Sequence, residues 1–238
     1  WLWRNLCVIT GIIIFALLIF HSMFSGGAVL FTTDNNIGSI ATRKLIFPAG
    51  FTGHFWHSPL LGSVAVRALN STYLSNWLSQ IIIYNNWIYC VYLLISSFAL
   101  FAFLKVRVRT IPVMIGIIVA LWMGTNLTIL HAGHVGKFGV IAFTMLALWC
   151  LDKAVVHNSF LWRILAGGCL GGMFIEQQDF ALFVAIFVGA YALFGWLARN
   201  KFGFRAFVLH FLPIGLVAIM ISLWSAIVVY EINVSQTK

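Results

Sequence analysis

Seven apolar stretches set the terms for this chain, at about residues 6–24, 80–104, 111–130, 138–156, 160–175, 180–198 and 206–230. Short polar clusters separate them, the long 25–79 connection excepted. Most reach the ~20 residues that an α-helix needs to cross the ~30 Å hydrocarbon layer of a bilayer. Backbone N–H and C=O groups find no water in that layer, so only helices and closed barrels span it. The stretches do not alternate polar and apolar at every second residue, which disfavours a β-barrel. Composition agrees. Some 62% of residues are hydrophobic, 8% are charged and mean hydropathy is +1.03, too little polar surface to coat a water-soluble globule. The expected fold is an all-α, polytopic transmembrane bundle of seven spans, one domain over residues 1–238.

Basic residues orient such a bundle, because lysine and arginine gather in cytoplasmic loops. With the N-terminus inside, nine fall inside: Arg4, Lys105, Arg107, Arg109, Lys153, Arg163, Arg199, Lys201 and Arg205. Arg43, Lys44, Arg67, Lys137 and Lys238 fall outside. An N-in, C-out arrangement follows. The formal charge of +9 then reflects topology rather than nucleic acid, since no basic stripe with interleaved aromatics is present. Four of the five acids, Asp34, Glu176, Asp179 and Glu231, lie on the outer side, although acids hardly enter the orientation rule. Their clustering asks for another cause.

The first stretch lacks a small-residue cleavage site and reads as a retained helix rather than a signal peptide. The chain opens on Trp1 instead of Met, so an upstream start is expected. Cys7, Cys90, Cys150 and Cys169 lie in or at the ends of apolar stretches, form no CxxC, and suit membrane-core packing. The glycine-rich fifth stretch (Gly167, Gly168, Gly171, Gly172) suits close packing against neighbours.

Chemistry-bearing residues gather in the outer connections. The long 25–79 loop holds Phe51, Phe55, Trp56 and Trp77, suited to the membrane interface, and is expected to form one or two helices lying along it. Asp34, among Thr32, Thr33, Asn35 and Asn36, is either a turn cap or a carboxylate placed to take a proton or hold a metal. "HAGHVGK" places His131 and His134 three apart, on one face if helical, beside Lys137 and two glycines. Those groups suit metal ligation, proton transfer or phosphate binding. Two histidines do not complete a metal site, and His54 and His57 would be the further ligands. "FIEQQDF" sets Glu176 and Asp179 at the membrane boundary, where ionisable groups usually face a cavity, with helix capping the alternative for Asp179. Together they outline a cavity open to the outer side and lined by those groups, with a divalent cation, Mg or Mn, as one candidate occupant. Three N-x-S/T triplets (Asn70, Asn126, Asn233) match the glycosylation pattern. No GxSxG, HExxH or CxxCH occurs.

Three motifs in order carry a family resemblance: Asp34-Asn35-Asn36-Ile37-Gly38, Gly133-His134-Val135-Gly136-Lys137 and Glu176-Gln177-Gln178-Asp179. With the interfacial first loop, they resemble the GT-C glycosyltransferase superfamily, and within it bacterial YfhO-like membrane proteins, over about residues 6–230. The resemblance implies inverting transfer of a sugar from a polyprenyl-phosphate donor at the outer face of a bacterial inner membrane. By that analogy Asp34 is the general base, His134 and Lys137 meet the donor phosphate, and Glu176 and Asp179 hold acceptor or metal. The chain lacks a DxD pair in its first loop. It also stops where longer family members continue, so a C-terminal truncation is expected.

Other readings make the chain a non-catalytic membrane subunit with membrane-protein partners, or a transporter. A transporter wants ionisable groups in mid-span and related repeats. Haem binding would need His21, His131, His134 or His210, which lie mostly at stretch ends.

Overall fold

The computed structural model describes residues 2–24, 55–56, 66–67, 86–199 and 203–236. Helix covers the seven apolar stretches where they are described, apart from turns at Phe20 and Ala198 and a break at Trp122–Met123. The elements are α1 (Leu2–Ile19), α2 (His21–Phe24), α3 (Asn86–Leu104), α4 (Thr110–Leu121), α5 (Gly124–Ala132), α6 (Val135–His157), α7 (Phe160–Glu176), α8 (Gln178–Leu197) and α9 (Phe204–Gln236). Among the described residues, four helical segments are long and apolar enough to cross a membrane: Thr110–Ala132, Val135–His157, Gln178–Leu197 and Phe204–Leu223. The apolar parts of α1 and α3, Asn5–Ile19 and Ile88–Leu104, are shorter, and α7 has 17 residues.

The first loop differs from expectation where it is described. Phe55–Trp56 (β1) and Val66–Arg67 (β2) pair as short antiparallel strands, Phe55 opposite Arg67 and Trp56 opposite Val66. Aromatic and β-branched residues favour that extended pairing over a helix. The rest of the expected interfacial helices lies outside the described residues.

Helix α7 packs along α6 on one side and α9 on another. Its glycines explain the closeness. A Cβ at Gly167 would stand 2.5 Å from the Ile214 carbonyl oxygen, and one at Gly171 2.7 Å from the Ile221 Cβ. Gly172 faces the Phe143 ring of α6, 2.8 Å from such a Cβ. Only glycine lets backbones approach so nearly, and without a water-driven hydrophobic force such packing is what joins helices in lipid. Helix α3 continues the layer against α6, α1 and α4 extend it beyond α3, and α8 lies along α6 and α7. Leu182, Phe183, Ile186, Phe187 and Phe194 of α8 stay exposed, as suits a face turned to lipid rather than water.

Three breaks shape the chain. The expected third stretch is two helices, because the path bends at Trp122, whose indole Nε1–H donates to Ser97 Oγ on α3 at 3.0 Å. Asn126 repairs the bend, its amide donating to the carbonyls of Ala120 (3.1 Å) and Leu121 (2.9 Å). That bonding gives Asn126 a structural task at the break. Next, α6 turns into α7 through Asn158 at φ 47°, left-handed backbone that asparagine tolerates better than most residues. Arg163 ties this turn by donating to the Asn158 carbonyl and side-chain oxygens. Last, α9 contains Pro213, which has no N–H for the carbonyl of Leu209 four residues back. Arg163 Nη1 donates to that carbonyl at 3.2 Å, so one guanidinium serves two helices.

Candidate functional site

The α5–α6 and α7–α8 junctions meet at one end of the bundle, and the second and third motifs meet with them. Glu176 ends α7 and is 1% exposed. Its carboxylate lies on bare backbone. A Cβ at Gly139 of α6 would stand 2.7 Å from its Cγ, Cδ and Oε2. One turn earlier, a Cβ at Gly136 would stand 2.8 Å from the Glu176 carbonyl oxygen and 3.4 Å from the Gln177 Cβ. Residues three apart share a helix face, so the two glycines form a trough that receives the α7–α8 junction. From α3, the Tyr92 hydroxyl donates to Glu176 Oε1 at 3.2 Å. Tyr89, one turn before Tyr92 and also buried, packs edge-on against Phe138, ring centroids 5.2 Å apart. A buried carboxylate is stable only with such partners, and a fixed one can orient a hydroxyl or hold a proton.

Each expected pair is split by a helix break. His131 lies exposed in the last turn of α5, which ends at Gly133 with φ 86°. His134 stands beyond that break as the residue before α6, half-buried, so the two histidines do not share a helical face. Glu176 and Asp179 part in the same way at Gln177, whose backbone is extended (φ −160°, ψ 105°). Glu176 turns inward, whereas Asp179 is exposed in the first turn of α8. There Asp179 makes no capping bond, the cap being Gln177, whose side-chain amide reaches Asp179 Oδ2 at 3.4 Å. The first turn of a helix nonetheless favours its negative charge.

Lys137 occupies the first turn of α6, half-buried, and makes no ion pair among the described residues. A cation at a helix N-terminus opposes the helix dipole, so lysine charge and dipole together favour an anion there. Asp34, His54 and His57 lie outside the described residues. Among the described residues no three of His, Cys, Asp and Glu gather as ligands for a metal, and the parting of Glu176 from Asp179 gives the reason.

Tyr92, Tyr89 and Gly139 escaped the sequence reading. A signal existed: two tyrosines three apart in an apolar helix each bury a hydroxyl that needs a partner. No protein-family model matches this chain, and neither does any curated protein or any solved structure. The fold and site therefore define a class alone: an integral-membrane helical bundle with a buried carboxylate and a lysine-bearing helix start at one end.

Proposed function

We propose that this end of the bundle handles a lipid-linked phosphate, and that the chain is a GT-C-like glycosyltransferase moving a sugar from a polyprenyl-phosphate donor. The observation that carries the reading is the seating of the Glu176 junction on Gly136 and Gly139, which sets the third motif directly against the second. Lys137 and His134, at the positive end of α6, then suit the leaving phosphate, whose charge grows as the sugar departs. Glu176, buried and held by Tyr92, fixes the junction from which the exposed Asp179 meets the acceptor hydroxyl. Asp34 takes the proton as that oxygen attacks the anomeric carbon and the phosphate leaves with the bonding pair. A lipid-borne donor fits a site at the end of apolar helices. The same reading puts this end at the outer face of a bacterial inner membrane.

The test is sugar transfer from a polyprenyl-phosphate donor in membranes carrying the chain. Lys137→Gln is expected to lower transfer about a hundredfold, as loss of one charge-stabilising donor does. Asp34→Asn is expected to abolish it while the protein stays folded. Undiminished transfer by both variants would remove this mechanism.

A further inference from the structure

The opposite end of the bundle holds a second buried carboxylate. Asp152 lies 13 residues along α6 from Gly139, a rise of about 20 Å. It is 6% exposed and receives Arg107 Nη2, from the segment after α3, and Arg199 Nη1 at 3.1 Å, from just beyond α8. The Arg107 guanidinium also donates to the Phe103 carbonyl at 2.8 Å and to the Tyr191 hydroxyl at 3.3 Å, and lies 4.6 Å over the Phe103 ring. Two guanidiniums on one carboxylate leave a positive charge in excess. Asp152 is closed off, but the arginine side chains remain 34% and 44% exposed. Between them opens a crevice of about 220 Å³ walled by Tyr191, Val155 and Gly195.

An apolar groove of about 380 Å³ adjoins that crevice, and Leu151 and Ala192 line both. Val188 and Gly189 of α8 form one flank, Phe207, Phe211 and Ile214 of α9 the other. We propose that this end binds one anionic phospholipid of the surrounding bilayer, its phosphate on Arg107 and Arg199 and an acyl chain in the α8–α9 groove. Charge complementarity selects the head, since paired guanidiniums suit phosphate oxygens, and Asp152 holds their planar forks in place. The groove selects a lipid over a soluble anion, which would leave it empty. This site does not rest on the donor reading at the Glu176 end.

The experiment is native mass spectrometry of the full chain released from bilayer discs of phosphatidylglycerol and phosphatidylcholine in equal amounts. Phosphatidylglycerol is expected to be retained in preference. Arg199→Gln leaves the Arg107–Asp152 pair in place and is expected to lower that retention about fivefold, the worth of one basic residue at an anionic surface. Arg205→Gln, exposed at the same end but lining neither hollow, is expected to leave retention unchanged. Gly189→Leu fills the groove where a Cβ meets no atom within 4 Å, and is expected to remove the preference with both arginines intact. Equal retention of the two lipids, or no loss in Arg199→Gln and Gly189→Leu, overturns the proposal. So does competition by soluble glycerol phosphate as effective as by phosphatidylglycerol.

Discussion

Glu176 occupies its place because Gly139 has no side chain. A methyl group there would stand 2.7 Å from the carboxylate, so Glu176 would have to leave the place where Tyr92 holds it. Gly139→Ala is therefore expected to destabilise the protein by about 1–3 kcal/mol, as overpacking does. Gly116→Ala is the matched control. A Cβ there meets no atom within 4 Å, and alanine is the better helix former, so stability is expected to hold or rise. Thermal unfolding in detergent distinguishes the two, and an equal shift for both would refute the trough. Glu176 could be singled out from the sequence because an acid at the end of an apolar run is costly. Its direction could not, because Tyr92 lies 84 residues away in the chain and no local spacing links them.

Between elements, the α7–α9 contact is the clearest case of a legible feature. Its glycines repeat every three or four residues, which puts small residues on one helix face, and the fold uses Gly167 and Gly171 for that approach. The Pro213 repair was hidden, because the missing donor belongs to α9 and its substitute, Arg163, to α7. Arg163→Leu is expected to cost about 1–3 kcal/mol by leaving the Leu209 carbonyl without a donor in an apolar setting. In a Pro213→Ala background, where the backbone N–H returns, the cost is expected to shrink towards what the Asn158 turn alone loses. A double-mutant cycle on detergent stability measures that coupling, and strict additivity would count against it. The parted pairs at Gly133 and Gln177 belong to this scale too. Spacing by three implies a shared face only while one helix continues, and each pair straddles a break.

At the scale of the molecule, the residues expected outside and inside fall at opposite ends of the bundle. Lys137, Glu176 and Asp179 lie at one, Arg107, Asp152 and Arg199 at the other. The basic residues set only an expected sidedness relative to the cell, N-terminus inside, which labelling can test. In a background with the four cysteines changed to alanine, a cysteine at His131 is expected to react with an impermeant maleimide from outside intact cells. One at Val106 is expected to react only after the membrane is opened. Both positions are exposed, so reversed labelling would invert the topology.

The apolar runs by themselves determined a helical membrane bundle and most of its helix positions, the break at Trp122 excepted, because lipid leaves the backbone few choices and twenty apolar residues have one economical conformation. Their order also determined that polar junctions alternate between two ends. Only the tertiary structure decided which polar groups face one another. Gly139 receives Glu176 from α7 and Tyr92 from α3, and Asp152 joins arginines from beyond α3 and α8. Those encounters depend on which helices pack side by side. In a bilayer that choice rests on shape and hydrogen bonding between distant segments, to which local hydropathy is blind.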